Sequence, residues 1–486
     1  MLNFPILFLF FHIDIEKCRF YNCDRRHKRG YYAIMKETKI HKYGYSSPTD
    51  GTYEIDGKSF SVEQDFRTEE KYREYKEAGF DTLLLQGNDP YLGEPFETSQ
   101  TKKNMDMAWN VGIERVIVFD KRINDLSHTE GGLVGKGKLF ATNDELQNIL
   151  QEYIKDYVKH PAFLGVMLID EPSYKCFKAI GQIERAIQAI DNEIFCQCNL
   201  LPLARGTERS FCEDWKDISL PDAYKKYLDE FCETVPQGNL IMDTYPIREE
   251  NEAGKFIVPF HFSCLQIFHD TAKRHGWRTT RVLQSTAMYN DKTWKFRMLN
   301  EKTLAYQYHT ALAFGASEIS YFTYWRKQCN KTDFEFYPDK TAFISQNGEK
   351  TLVYYAVQAL HRRYADFEET LCRYKYENST FFGSGECLWY TEQRPIDGLK
   401  AFAQTPYLVT HLKGGADNSN MYAAQNLLDP DVYEGHREIL LDFGEAENLI
   451  VYKNGGEKKV LLKNGKYIAK LEAGEVEFYC PITMIK

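Results

Sequence analysis

From about His41 the chain alternates short apolar runs with amphipathic segments, the pattern of repeated strand–helix units. The runs Lys42 to Ser46, Thr82 to Gln86, Arg115 to Asp120, Leu164 to Glu171, Glu193 to Asn199, Leu240 to Tyr245, Arg281 to Ser285 and Glu318 to Trp325 are predicted strands. Helix-like segments lie between them, at Thr68 to Ala78, Gln100 to Val111, Asn143 to Lys159, Phe177 to Ile190, Asp222 to Thr234, Phe262 to His275 and Leu299 to Phe314, with a last one at Leu352 to Tyr374. Several run into glycine, as helix C-termini often do. Asn143-Asp144-Glu145 opens one of them with capping chemistry. Gly165 to Ile169 is continuously apolar, as in a strand covered by helices on both faces. Eight such units predict an α/β fold, a (β/α)8 TIM barrel, in preference to an open doubly wound sheet.

Beyond about Glu377 the helical period disappears. Alternating runs take over at Glu438 to Asp442, Leu449 to Tyr452, Lys459 to Leu462 and Val476 to Tyr479, with NGG and NGK turn signals between them. They predict a C-terminal antiparallel β-sandwich. The expected organisation is residues 1–34 as an N-terminal extension, 35–376 as the barrel and 377–486 as the sandwich. The N-terminal apolar run Phe4 to Ile13 precedes the basic cluster Arg25, Arg26, Lys28 and Arg29, the reverse of a signal peptide's order. The run is also short for a bilayer span. With the change of character at Met35-Lys36-Glu37, it reads as an extension outside the native functional chain.

Composition narrows the function. A formal net charge of -9 argues against a nucleic-acid partner, which would demand a basic stripe. The 33 Tyr and 32 Phe are abundant enough to line a sugar-binding cleft as well as a core. Twelve cysteines contain no CxxC pair, and Cys196 and Cys198 would share one strand face, which does not suit zinc. Reduced thiols point to a cytoplasmic protein, with a secreted or surface-anchored one as the alternative. No GxGxxG or P-loop follows an early strand. Neither a metal nor a cofactor is expected, and the sequence carries no signature of oligomeric state.

The carboxyl ends of barrel strands carry the chemistry of this architecture. Here they supply Gln86, Asp120, Asp170 and Glu171, Asn199, Asp243 and Tyr245, Gln284, and Tyr324 and Trp325. Each has a structural reading: Asp120 or Asp170 as a helix cap, Asn199 as a loop hydrogen bonder, Trp325 as a core plug. Together they offer what glycoside cleavage needs, namely one carboxylic acid, a second carboxylate, and polar and aromatic groups to hold a sugar. Asp170-Glu171-Pro172 is the most concentrated signal, because Pro172 ends the ladder immediately after two acids.

The DEP at Asp170 to Pro172, the DTYP at Asp243 to Pro246, the LQS at Leu283 to Ser285 and ALAFGASEISYFTYW at Ala311 to Trp325 resemble the clan A glycoside hydrolases, among them family-42-like β-galactosidases and related barrels of gut bacteria. The resemblance spans about Gly79 to Tyr374, and the closing LEAGEVEFY is similar to the sandwich that commonly follows such barrels. It implies Glu171 as general acid/base, Trp325 as the aromatic floor of the cleaved sugar's subsite and Tyr245 as a hydrogen-bond partner of the nucleophile. Two positions depart from the pattern. Asp170 stands where the clan has Asn, and Gln284 stands where it has its nucleophilic Glu. An amide cannot form a glycosyl ester.

The leading expectation is therefore a glycoside hydrolase with Glu171 as acid and Asp243 as the second carboxylate, Asp170 being the next choice. Substrate-binding positions are Gln86, Asp120, Asp170, Asn199, Tyr245, Gln284, Tyr324 and Trp325, and the partner is a carbohydrate. The rival from another class is a glycan-binding barrel that has lost its strand-seven nucleophile. A third reading makes Asp120, Glu171 and Asp243 magnesium ligands of an enolase-like site, but that chemistry also wants a lysine or histidine base at a strand end, and strand two, ending Leu85-Gln86-Gly87, supplies none. The loops Arg122 to Phe140, carrying His128, and Ile247 to Phe260 are placed to shape specificity.

Overall fold

A computed structural model describes residues 39–55, 58–85, 91–127, 136–248, 260–290, 294–326, 328–329, 342–388, 390–415 and 418–482. Gln86, His128, the proposed 1–34 extension and most of the loop 247–260 lie outside the described residues.

The eight predicted strands form one parallel sheet: β1 His41–Gly44, β2 Thr82–Leu85, β3 Arg115–Phe119, β4 Phe163–Asp170, β5 Phe195–Leu200, β6 Asn239–Asp243, β7 Arg278–Gln284 and β8 Glu318–Phe322. Each of β2 to β8 pairs with its sequence neighbour, and β8 returns to pair with β1. The remaining seam, between β1 and β2, is closed by one backbone bond and by side chains. Asp81 N–H donates to Lys42 O (3.1 Å) and Lys42 N–H to Asp81 Oδ1 (3.1 Å). The Tyr75 hydroxyl accepts from Gly44 N–H (2.7 Å) and donates to Thr82 O (2.9 Å), so a helix residue satisfies backbone groups on both sides of the gap. The result is a (β/α)8 barrel.

Around it lie α1 Glu69–Glu77, α2 Gln100–Asn110, α3 Lys121–Ser127, α4 Asn143–Ile154, α5 Phe177–Ile190, α6 Leu220–Thr234, α7 His261–His275, α8 Glu301–Ala313 and α9 Leu352–Leu371. Their starts follow capping chemistry: Thr68 accepts from Lys71 N–H, Ser219 from Asp222 N–H, and Asn300 closes a capping box with Thr303. For α4 the cap is Thr142, one residue before the Asn143 expected from sequence. Gly276 ends α7 at φ 68°, a left-handed position that glycine occupies without steric cost.

The buried faces of strands and helices form one continuous core. Inside the barrel, Tyr43, Tyr45, Leu84, Ile117, Met167, Ile241 and Val282 make a separate packed plug, with β2, β3, β4, β6 and β7 contributing one residue each. Between β5 and the helices, Glu184 of α5 is buried among Cys196 and Cys198, its Oε1 accepting from Gln188 (3.2 Å). Burial pushes its carboxyl up to about 8, with Arg185 opposing. The native state thus holds a proton that the unfolded chain releases at the ordinary glutamate value. Stability is fully present below that value and declines as pH rises from there to about 8, by on the order of 5 kcal/mol. Glu184→Gln is expected to abolish this slope in urea denaturation series at pH 5, 7 and 9.

The C-terminal part is antiparallel. Its strands are β9 Tyr374–Phe382, β10 Lys400–Ala403, β11 Tyr407–Gly414, β12 Asn420–Asn426, β13 Arg437–Asp442, β14 Asn448–Lys453, β15 Gly456–Leu461, β16 Lys466–Leu471 and β17 Val476–Ile482. A six-stranded sheet of order β9-β11-β12-β17-β14-β15 faces a three-stranded one, β10-β13-β16. Alternation along β11 divides its residues: Tyr407 and Val409 enter the sandwich core, while Leu408 and Leu412 join the barrel core. The last barrel helix stops at Leu371 and the first sandwich strand begins at Tyr374, inside the segment that periodicity assigns to the helix. Among the described residues no helix is long and apolar enough to cross a membrane, and Cys196, Cys198, Cys212, Cys232, Cys264 and Cys387 form no disulfide.

Candidate active site

β4, β5 and β6 end side by side, with Asp170 paired to Asn199 in register and Asn199 to Ile241. This brings Asp170, Glu171, Asn199, Asp243 and Tyr245 together at the mouth. The Asn199 amide bridges two acids, Nδ2 donating to Asp170 Oδ1 (2.9 Å) and to Asp243 Oδ1 (3.1 Å). The Glu171 carboxyl is in hydrogen-bonding contact with Asp243, and the Tyr245 hydroxyl donates to Asp243. Glu171 N–H donates to Asn199 O (2.8 Å), which ties the chain to β5 just past the end of β4. There the backbone of Glu171 adopts φ 47°, a left-handed conformation that costs a residue with a Cβ on the order of 1–3 kcal/mol. The residue before a proline is additionally disfavoured in helical conformations.

The electrostatics of the trio follow from crowding. Of Asp170, Glu171 and Asp243, the first keeps an exposed surface, the second is half-buried and the third is buried, and the barrel wall desolvates all three carboxyls. That confinement, then the charges of Asp243 and Asp170, push Glu171 well above the usual carboxyl range. Asp170 is pushed up to about 6 by burial and by Asp243, with the Asn199 amide pulling it back. Asp243 is raised by burial and restrained by donors from Asn199 and Tyr245 and by the Arg281 charge. Within the trio the proton therefore stays on Glu171 in preference to its neighbours.

Aromatic groups accompany the acids. Phe322, half-buried at the end of β8, stacks on Tyr245 (5.7 Å between centroids, 28°) and meets Tyr45 edge-on (6.0 Å). The Tyr45 hydroxyl accepts from Gln197 Nε2 (3.1 Å). Tyr45, Gln197 and Phe322 were absent from the sequence expectation. Strand alternation could have found them, because Gln197 lies two residues before Asn199 and Tyr45 two after Tyr43.

The geometry places four expected site residues elsewhere. Asp120 is fully buried, held by Arg122 (2.7 Å) and by the Tyr157 hydroxyl (3.0 Å), so its carboxylate is consumed internally. Asp120→Ala is expected to cost about 3 kcal/mol in chemical denaturation, as for other broken buried ion pairs, and to leave KM unchanged. Gln284 is fully buried, and its amide accepts from Ile247 N–H (3.1 Å) and donates to the Thr286 carbonyl (3.3 Å). Tyr324 turns outward against Tyr75, Phe80 and Phe343. Trp325 is buried against Phe66 (4.9 Å between centroids) instead of presenting an open face. The inward direction passes to Phe322 because Tyr324 N–H bonds Tyr45 O (2.8 Å) and its carbonyl accepts from Ile344 (3.0 Å), which ends the regular alternation of β8. No group of His, Cys, Asp and Glu among the described residues has a metal-holding geometry, so the enolase-like reading finds no support in the arrangement of Asp120, Glu171 and Asp243.

No protein-family model and no curated protein matches the chain. Solved structures with a similar fold include an α-amylase from Anoxybacillus (13% identity, 93% of this chain and 100% of that chain, TM-score 0.49), a GH30 endoxylanase from Clostridium papyrosolvens (13%, 92% and 97%, TM-score 0.40) and a GH27 β-L-arabinopyranosidase from Geobacillus stearothermophilus (8%, 94% and 99%, TM-score 0.45).

Proposed function

We propose that the protein is a glycoside hydrolase acting on O-glycosidic bonds, with Glu171 as general acid/base and Asp243 as the second carboxylate. The observation that carries this reading is the trio itself. A protonated Glu171 touches a carboxylate that is held by Asn199 and Tyr245, at the carboxyl ends of adjacent barrel strands. Glu171 delivers its proton to the leaving oxygen, and Asp243 meets the positive charge that develops at the anomeric carbon. The contact between the two carboxyls leaves no space for the water that an inverting enzyme holds across roughly 6.5–9.5 Å, and it is also closer than the roughly 5–5.5 Å of retaining enzymes; parted to that smaller separation by a bound sugar, the pair gives retention with Asp243 as nucleophile. Asp170 sits beside both and suits a sugar hydroxyl. Phe322 and Tyr245 supply an apolar wall, as a sugar ring's face requires.

The test is release of nitrophenol from a panel of chromogenic glycosides, with the β-galactoside first because of the motif resemblance, and with the product anomer read by NMR at early time. Turnover with retained configuration supports the proposal. A second reading, a glycan-binding barrel without hydrolysis, draws on Gln284, whose amide leaves strand seven with no carboxylate at the mouth. Sugar binding by calorimetry with no product after prolonged incubation would decide for that reading.

A further inference from the structure

Arg281 lies at the middle of β7, next to the inward-facing Val282, and points the other way into the layer between strand and helices. It is 2% exposed. Among the described residues neither its Nε nor its Nη1 has a hydrogen-bond partner. A guanidinium is costly to bury unless its charge is compensated and its donors are used. Burial lowers this one only to about 10, so it stays charged at neutral pH.

The groups packed around it show where that charge acts. Tyr224 of α6 and Cys264 of α7 are kept protonated by burial, and His261 and His269 of α7 are neutral, pushed far down by burial and by Arg281 itself. α8 contributes the uncharged Gln307 and Thr310. Two nearby acids are already engaged: Glu318, beside the β8 residue in register with Arg281, accepts from Arg115 (3.2 Å) and Thr280 (3.2 Å), and Asp270 of α7 pairs with Arg394 (2.7 Å). On β6 the residue in register is Met242, and the next is Asp243. Thr244 and Pro246, just beyond it, line the same narrow gap as the guanidinium.

Met242 is fully buried, its sulfur against the Tyr224 hydroxyl (2.9 Å) and the Cys264 thiol (3.3 Å). The guanidinium therefore acts on Asp243 through packed protein, where a charge is screened far less than in water. Each group favours the charged form of the other. On its open side Asp243 faces Asp170 and Glu171 at the end of β4, Asn199, Tyr245, and Tyr45 from β1. Carboxyls crowd it from the front, and Arg281 supplies a positive charge from behind. Glu171 is set instead by its confinement and by the charges of Asp243 and Asp170.

We propose that Arg281 is a positioning residue for the carboxyl pair: from behind β7, without touching substrate, its fixed charge holds Asp243 as the carboxylate and so leaves the proton to Glu171. This role rests on the pairing of Glu171 with Asp243 in glycoside cleavage.

Arg281→Met and Arg281→Gln remove the charge, and Arg281→Lys keeps it. Both neutral variants are expected to fold, since Nε and Nη1 give up no hydrogen bond. In pH profiles of kcat on a chromogenic glycoside, their acid limb should move to higher pH, with kcat on that flank about 5- to 10-fold lower and the plateau within about twofold of the unaltered protein. The alkaline limb should stay in place, and Arg281→Lys should bring the acid limb back. Titration of Asp243 is read without turnover, from the infrared carboxylate band that Asp243→Asn removes. In the neutral variants that band should develop at higher pH than in the unaltered protein. A band that does not move overturns the proposal, as does an acid limb that stays while the plateau falls. A displaced band in a protein that cleaves no glycoside upholds the link between Arg281 and Asp243 and overturns the hydrolase reading alone.

Discussion

Replacing Glu171 by Gln is expected to lower kcat by about 10³-fold or more at neutral pH, because the variant has no proton to give the leaving oxygen. The pH profile separates this from a loss of binding. In the unaltered protein activity should fall on the acid side as Asp243, raised above the ordinary aspartate range by burial, takes up a proton, and on the alkaline side as Glu171 ionises. The residual activity of Glu171→Gln should lack the alkaline limb. Substrates with good leaving groups, which need little protonation, should be affected least. The same substitution bears on stability. The raised Glu171 carboxyl binds its proton more tightly in the native state than in the unfolded one, so its contribution falls as pH climbs above the ordinary glutamate value. Gln cannot ionise. At pH 8 the variant should melt no lower than the unaltered protein, and higher if the crowding of Asp170 and Asp243 dominates.

Asp243→Ala is expected to be the other large effect, on the order of 10⁴-fold in kcat, since it removes both the group that meets the developing cation and the partner of Glu171. The space it leaves admits a small external nucleophile. Azide should restore part of the turnover and yield a glycosyl azide of inverted configuration, with the Glu171 proton leaving on the aglycone oxygen. Rescue of this kind with Asp243→Ala and not with Asp170→Ala would fix the nucleophile. If instead Asp170→Ala is the rescued variant, the two aspartates exchange roles. An Asp243→Ala protein of near-normal activity would exclude the assignment of Asp243.

The barrel was legible because its signals are local and repeated: apolar runs for strands, amphipathic period for helices, glycine at helix ends. Convergence of Glu171, Asn199, Asp243 and Tyr245 was legible for the same reason, since strand ends meet at one rim whatever the loops do. What failed depended on partners distant in sequence. Tyr157 completes the enclosure of Asp120, and the backbone at Ile247 occupies the Gln284 amide. Trp325 and Tyr324 were misplaced because alternation was extended past Phe322, where the chain leaves the ladder to pair with Tyr45 and Ile344. The positive φ of Glu171 has no signature in residue type, because only the neighbouring strand's carbonyl, Asn199 O, fixes it.

Helix α8 is anchored in two directions. On its inner side the Gln307 amide bonds Gln284 N–H (2.9 Å) and Gln284 O (3.2 Å), clasping the end of β7. On its outer side Thr310 donates to Gln425 (3.0 Å), and Gln425 donates to Tyr306 O (3.0 Å) on the six-stranded sheet. Thr410 of that sheet reaches the helix's last carbonyl, Ala313 O (2.6 Å). Strand seven is therefore registered against the C-terminal sheet through α8, much as a keystone is held from both sides. The β-sandwich in this sense bears on the barrel wall behind the end of strand seven, so that a packing change in either part reaches the other through α8.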